Sequence, residues 1–307
     1  MTARRSLLAG LLGQGVGPSL TPELHEREAA RQGVRYVYKT VDLRDDRLGT
    51  DRLRALLGAA VELGFDGLNV THPVKRAVVP LVDEVSARVA ALGALNTVVV
   101  RDGRTVGHNT DVTGFTAAFR DGMADVELGD VLLLGAGGAG AAVAHALGAL
   151  GVRRLLVADP DKEHLEAVVR SLAGTGTGMR VAAVGVRDLP DALGRVAGMV
   201  NASPVGMADH PGAPVDTRLL HPGLWVADIV YRPLDTPLLR AARDRGCRTL
   251  SGAGMAVHQA ADAFELITGR PADRAAMFRD FDELVAGETA GRRHTPGPPA
   301  PGTSTRK

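Results

Sequence analysis

Four polar clusters in this chain carry residue types that could do chemistry. They are Ser19-Leu20-Thr21-Pro22, Asn69-Val70-Thr71-His72-Pro73-Val74-Lys75, Ala94-Leu95-Asn96-Thr97 and Asn109-Thr110-Asp111. Together they supply hydroxyls, amides, one ammonium and one carboxylate. That inventory suits a small polyhydroxylated acid. Amides and hydroxyls bind its OH groups, and Lys75 can bind it or transfer a proton. Each cluster also has a plainer explanation. Ser19 and Thr21 could cap a helix, Asn96 could sit in a turn, Asp111 could cap the helix after it, and Lys75 could be a solvated lysine. Singly these explanations compete well. Jointly they compete poorly, because every cluster falls at the same end of a predicted strand, where ligands gather in α/β folds.

A fifth segment points to a nucleotide. The apolar run 131–134 ends in Gly135-Ala136-Gly137-Gly138-Ala139-Gly140, and an alanine-rich helical run follows through Leu147. A second apolar run, 155–158, ends on Asp159. Strand, glycine turn, helix, strand and acid form the dinucleotide fingerprint in its required context, with the acid near the ~20-residue offset expected of it. Glycines let the backbone approach a pyrophosphate, and the helix N-terminus offers free N–H groups and a positive dipole end.

The elements that position these groups alternate along the chain. Strands are expected at 6–12, 34–41 and 67–70, helices at 22–32, 51–63 and 84–92. Thr21 reads as the N-cap of the first helix, Pro22 as its first residue and Gly33 as its end. Strands 97–101 and 105–108 flank Asp102-Gly103, a hairpin signal, before a helix over 113–120. These segments predict an α/β domain with a mostly parallel sheet. From about Asp130 the pattern becomes that of a doubly wound nucleotide domain. It has helices at 162–172, 191–196 and 237–245 and strands at 180–184, 198–201, 225–229 and 248–250. Helices at 255–268 and 275–286 close the fold. The expected organisation is therefore 1–112 for substrate, 113–250 for nucleotide and 251–286 for C-terminal helices packing back on the first part. A polar, proline-rich tail over 287–307 should be disordered.

Composition bounds the partners. The chain has 307 residues, enough for two ordinary domains, and a formal net charge of +1. That near-neutral balance argues against a nucleic-acid or acidic-membrane surface. Cys247 is the sole cysteine, so no intramolecular disulfide can form, and no metal site is expected. No apolar stretch is long enough to span a bilayer. Arg4 and Arg5 before an apolar segment mimic a signal peptide, but the following Gly-Gln-Gly-Val-Gly breaks it, so a cytoplasmic protein is expected.

These motifs together resemble the shikimate dehydrogenase family from about Leu8 to Glu283. Ser19-x-Thr21-Pro22-x-x-His25 is similar to its Ser-x-Ser-Pro-x-x-His run, which holds the substrate carboxylate. Asn69-Val70-Thr71-x-Pro73-x-Lys75 is similar to its catalytic-lysine motif. Gly93-Ala94-Leu95-Asn96-Thr97 and Asn109-Thr110-Asp111 match the next two. Asn201-Ala202-Ser203-Pro204-x-Gly206-Met207 is similar to its run beside the nicotinamide, and Asp228-Ile229-Val230-Tyr231-x-Pro233 and Gly254-Met255-x-x-x-Gln259 match the last two. The resemblance implies a Lys75–Asp111 catalytic dyad, with Ser19, Thr21, Thr71, Asn96, Tyr231 and Gln259 binding substrate. It implies that the glycine turn, Asp159, Asn201, Ser203, Met207, Gly252 and Met255 hold the cofactor.

Three departures refine this. Family members that use NADP carry Asn-Arg-Thr or Asn-Arg-Ser after the second nucleotide-domain strand, where the arginine grips the 2′-phosphate. Here that place reads Ala158-Asp159-Pro160-Asp161. Asp159 suits the ribose hydroxyls and would repel a 2′-phosphate. Thr21 replaces the commoner second serine, and Val74 a more usual aromatic. The first two departures resemble the quinate/shikimate dehydrogenase branch. The expected activity is NAD-dependent oxidation of quinate and shikimate by a monomer or homodimer. The competing readings are a biosynthetic NADPH-dependent shikimate dehydrogenase and a quinate-sensing binding protein without turnover.

Overall fold

The structure, a computed structural model, describes residues 6–43, 49–173 and 176–293. Arg4 and Arg5 of the signal-like segment lie outside them. The first half comprises β1 Leu7–Gly13, α1 Thr21–Arg31, β2 Tyr36–Asp42, α2 Thr50–Glu62, β3 Gly67–Val70, β4 Glu84–Val85, α3 Ala87–Leu92, β5 Thr97–Arg101, β6 Arg104–His108 and α4 Asp111–Gly122. The second comprises β7 Asp130–Leu134, α5 Gly138–Leu150, β8 Arg154–Ala158, α6 Lys162–Ala173, β9 Arg180–Ala183, α7 Leu189–Leu193, β10 Gly198–Asn201, β11 Trp225–Asp228, α8 Pro237–Asp244 and β12 Arg248–Leu250. Helices α9 Ala253–Thr268 and α10 Arg274–Arg293 complete it.

The second sheet runs β9-β8-β7-β10-β11-β12, with every pairing parallel. Strand order reverses between β7 and β10, which is the switch point of a doubly wound fold and the place where such folds bind nucleotides. Val131 to Leu133 are fully buried and Leu134 nearly so. A central parallel strand has helices on both faces, which is why this run is continuously apolar rather than alternating.

The first sheet runs β2-β1-β3-β5-β6-β4 and is mostly parallel, as expected, with β5 alone reversed. β1 pairs in parallel with β2 and β3, but β5 runs antiparallel to both β3 and β6. The hairpin is responsible. Asp102 and Gly103 both have positive φ, 51° and 76°, as a two-residue primed turn demands. The helix expected at 84–92 is also shorter. Glu84–Val85 pairs with β6, and Ser86 caps the helix that follows by accepting a hydrogen bond from Val89 N.

Two further expectations need correction. Thr21 is the first residue of α1, not its cap. Leu20 occupies that position without a side-chain cap, and Ser19 Oγ instead accepts from Thr21 N at 3.3 Å. The C-terminal helix does not stop at 286 but continues as backbone helix to Arg293, into the segment expected to be disordered; 294–307 lie outside the described residues.

The closing helices do pack back on the first half. Arg31 of α1 bonds Asp280 at 2.6 Å, Arg27 bonds Glu283 at 2.9 Å, and the buried Glu28 carboxylate accepts from Asp273 N at 3.0 Å. No helix among the described residues is long and apolar enough to cross a membrane, and none of their His, Cys, Asp and Glu side chains form a group able to hold a metal.

Candidate active site

The polar clusters meet at one edge of the first sheet. Ser19 and Thr21 follow β1, Thr71 and Lys75 follow β3, and Asp111 follows β6. Asn96 is the exception to the strand-end expectation, since it precedes β5. Because β5 is antiparallel to β3, with Thr97 opposite Asn69, its beginning lies beside the end of β3. The reversed strand therefore delivers Asn96 to the same edge as the others.

Lys75 is not a solvated lysine. Its Nζ donates to Asp111 Oδ2 at 2.6 Å, and the two side chains are only 15% and 7% exposed. The other carboxylate oxygen, Oδ1, accepts from Asn96 Nδ2 at 3.0 Å. Gln259 Oε1 stands 3.5 Å from the same amide nitrogen. Gln259 comes from α9, and Gly114 lets it approach. A Cβ at Gly114 would lie 2.9 Å from Gln259 N and Cβ, so only glycine permits this crossing of α4 and α9. Asp111 does not cap α4. Thr110 holds the cap position without a side-chain bond, and Asn109 before it satisfies the first turn, its Oδ1 accepting from Asp111 N at 3.0 Å and Val112 N at 3.2 Å. That frees the Asp111 carboxylate for Lys75 and Asn96. Thr71 lies against the end of β1, where a Cβ on Gly13 would come 2.2 Å from its Cγ2.

The glycine turn faces this pair. An added Cβ at Gly138 would stand 3.4 Å from both Cβ and Cδ of Lys75, in ordinary contact. Gly140 carries the helix–strand approach. A Cβ there would lie 2.1 Å from Gly135 O, an impossible distance. Nothing lies within 4 Å of the Cβ position at Gly137, so the outer side of the turn is open at the start of α5. Open backbone at a helix N-terminus is what a pyrophosphate requires. Asp159, at the end of β8, closes the far side. Its Oδ2 accepts from Ala136 N at 2.6 Å and its Oδ1 from Asp161 N at 2.8 Å.

The segment after β10 forms the next wall. Asn201 Oδ1 accepts from Ser203 N and Oγ at 3.1 and 2.6 Å, while Nδ2 donates to Val205 O and to Asp228 Oδ1, each at 2.9 Å. Asp228 is buried, and no cation among the described residues bonds to it. It also accepts from Thr236 Oγ1 at 2.8 Å and Val230 N at 3.0 Å. Burial raises its carboxyl above the ordinary range, and these donors oppose the rise. Asp228 was legible only as part of a motif; its part in shaping the 201–207 loop is visible only in the structure. Met207 on that loop is 40% exposed. Met255 is buried, and Gly252 abuts the Ile229 carbonyl, where a Cβ would stand 2.4 Å away. Tyr231 packs near Phe281 of α10, ring centroids 6.5 Å apart, which places it under the closing helices.

Two sheets whose polar edges face one another, an ammonium–carboxylate pair between them and a glycine turn against that pair define a two-domain nucleotide-dependent fold. The comparisons agree. Residues 11–98 match the family model described as the shikimate dehydrogenase substrate binding domain, and 252–277 match that of the shikimate 5'-dehydrogenase C-terminal domain. A shikimate dehydrogenase (NADP(+)) of Streptomyces avermitilis is 54% identical over 94% of this chain and 99% of its own. A quinate/shikimate dehydrogenase (NAD(+)) of Corynebacterium efficiens is 47% identical over 91% of this chain and 99% of its own. Among solved structures, quinate dehydrogenase of Corynebacterium glutamicum in complex with NAD superposes with a TM-score of 0.85 at 46% identity, covering 91% of this chain and 99% of that one. The chain belongs to the shikimate dehydrogenase family.

Proposed function

We propose that this protein oxidises quinate to 3-dehydroquinate and shikimate to 3-dehydroshikimate, with NAD as the hydride acceptor. The observation that carries the reading is the Lys75–Asp111 pair at 2.6 Å, seated against the glycine turn at Gly138. In the oxidative direction Lys75, as the free amine, accepts the proton of the reacting hydroxyl as the hydride leaves and becomes the ammonium that Asp111 holds; Asp111 also binds that same hydroxyl. Ser19 and Thr21 hold the carboxylate. Thr71, Asn96, Tyr231 and Gln259 bind the remaining oxygens. Residues 1–112 act as the substrate domain, 113–250 as the nucleotide domain and 251–286 as the helices that join them.

The residues fit the cofactor. Residues 135–140 leave an open backbone cradle at Gly137 that would take the pyrophosphate, and the 201–207 loop with Gly252 and Met255 would hold the nicotinamide. When bound, NAD supplies the hydride acceptor; the protein supplies position and electrostatics.

A second reading, NADP-dependent reduction of 3-dehydroshikimate, is favoured by the name of the 54% identical relative. Against it stands Asp159, a carboxylate at the place where a 2′-phosphate would need a cation. Initial rates with quinate and shikimate, each with NAD and with NADP, decide between them. NAD-dependent turnover of quinate supports the proposal, and NADP-dependent turnover confined to shikimate supports the alternative. The absence of turnover with all four combinations would leave the sensing protein.

A further inference from the structure

The Asp111 carboxylate is the end of a buried hydrogen-bond chain that starts on the far side of the first sheet. Tyr38 on β2 donates its phenolic O–H to Asn69 Oδ1 at 2.7 Å. Asn69 Nδ2 donates to Thr97 Oγ1 at 3.2 Å. Thr97 Oγ1 donates to Asn96 Oδ1 at 3.1 Å, and Asn96 Nδ2 donates to Asp111 Oδ1 at 3.0 Å. Every group is buried: Tyr38 is 8% exposed, Asn69 4%, Thr97 0%, Asn96 3% and Asp111 5%.

The chain runs in one direction. Lys75 already donates to Asp111 Oδ2, and the carboxylate needs donors on Oδ1. Asn96 can offer its NH₂ there only if its carbonyl oxygen faces Thr97 Oγ1 and Thr110 N, the latter at 2.7 Å. Thr97 spends its single hydroxyl hydrogen on that oxygen, so toward Asn69 it can only accept. Asn69 can offer its NH₂ to Thr97 only if its own oxygen faces Tyr38. Flipping the Asn96 amide would set its oxygen against Asp111 Oδ1 and its NH₂ against Thr110 N, and flipping Asn69 would set its oxygen against the Asn96 carbonyl, 3.5 Å from Asn69 Nδ2. Burial holds the Tyr38 phenol well above its ordinary pKa, so it remains the donor that starts the series. Hydrogen bonds in series polarise one another, and the low-dielectric surroundings strengthen each of them.

We propose that Tyr38, Asn69 and Thr97 are positioning residues for the catalytic pair, acting through Asn96 to fix and polarise the hydrogen bond that Asp111 receives. None of the three is assigned contact with reacting atoms. Their role rests on the reading of Lys75 and Asp111 as the proton-transfer pair. Thr110 N still anchors Asn96 when Thr97 is changed, so substrate binding should survive while the proton-transfer geometry suffers.

The test uses the full chain with quinate and NAD, measuring kcat, KM and quinate dissociation constant. Thr97→Val removes the hydroxyl at nearly constant volume. It should lower kcat roughly three- to tenfold, the worth of one hydrogen bond, and leave the quinate dissociation constant within about twofold of wild type. Thr97→Ser keeps the hydroxyl and should restore most of kcat, which a purely packing role for the methyl would not allow. Tyr38→Phe should lower kcat less, since Tyr38 is two hydrogen bonds farther from the carboxylate than Thr97. The double variant should be no slower than Thr97→Val alone, because links in one chain are not additive. Lys75→Ala is run alongside. If it loses turnover while Thr97→Val keeps wild-type kcat, or changes KM alone, the chain has no positioning role although the pair stands. Additive losses in the double variant would also overturn the chain. If Lys75→Ala keeps turnover, the reading of the pair fails, and the inference with it.

Discussion

Asp159 should set the cofactor preference, and the structure bounds by how much. Its side chain is 9% exposed, and each oxygen already accepts a backbone N–H, from Ala136 and from Asp161. It is therefore a fixed carboxylate that also braces the first peptide of the glycine turn. NAD offers ribose hydroxyls that can donate to it. NADP replaces one of those donors with a phosphate, so a charge-assisted hydrogen bond is lost and like charges are brought together. Such a bond is worth about 1.5–3 kcal/mol, or roughly tenfold to somewhat over a hundredfold in kcat/KM. Lys162, at the start of α6, opposes the repulsion. The tenfold end of the range is therefore the expectation for the wild type. Asp159→Asn with Pro160→Arg removes the carboxylate charge, keeps one oxygen to accept from the turn and supplies a guanidinium for the phosphate. Preference should then move toward NADP by at least the same factor. The assay is kcat/KM for both cofactors on both proteins, at fixed saturating quinate. Equal use of NAD and NADP by the wild type would refute the argument, and so would a double variant that binds NADP no better.

Lys75→Ala should bind quinate with little change and lose roughly 10²–10⁴-fold in kcat, as expected for a positioned acid–base group; equilibrium binding and steady-state rates check it. Thr21→Ser should shift kcat/KM toward shikimate, because the threonine methyl fills space beside the carboxylate that serine leaves open; an unchanged quinate-to-shikimate ratio would count against this. Gly140→Ala drives a Cβ to within 2.1 Å of Gly135 O, and overpacking of this kind costs about 1–3 kcal/mol. The melting temperature should fall and KM for NAD should rise, since the glycine turn and the start of α5 cannot both stay in place. His25 is fully buried, and burial lowers its pKa to about 3. The unfolded chain binds a proton there near pH 6.5 and the folded one does not. Stability from this group is thus complete above about pH 6.5 and falls by about 1.4 kcal/mol per pH unit toward pH 3. Urea unfolding between pH 7 and 4.5 should show that slope, and His25→Gln should reduce it by about one proton.

The amino-acid sequence by itself determines much of this protein because its signals are local. Gly135-x-Gly137-x-x-Gly140 requires a turn and a close helix wherever it occurs between an apolar strand and an alanine-rich run. Asp102-Gly103 requires a primed turn because adjacent residues there take positive φ. Both readings depend on a few neighbouring residues, and both hold. Tertiary structure alone decides what those signals bring together. The reversed direction of β5 in the first sheet follows from the hairpin running back beside β3, a pairing of residues 28 apart at Asn69 and Thr97. That pairing carries Asn96 from the start of its strand to the edge where Lys75 and Asp111 meet. The capping roles were misjudged for a related reason. Thr21 and Asp111 are competent caps by type, yet each is the first residue of its helix, and only the folded chain shows that Leu20 and Thr110 hold the cap positions. The chain from Tyr38 to Asp111 has no sequence pattern, because its links lie on β2, β3, β5 and the segment after β6. Sheet register sets Asn69 opposite Thr97 on neighbouring strands about 5 Å apart, and the long Tyr38 side chain reaches Asn69 from β2, across β1.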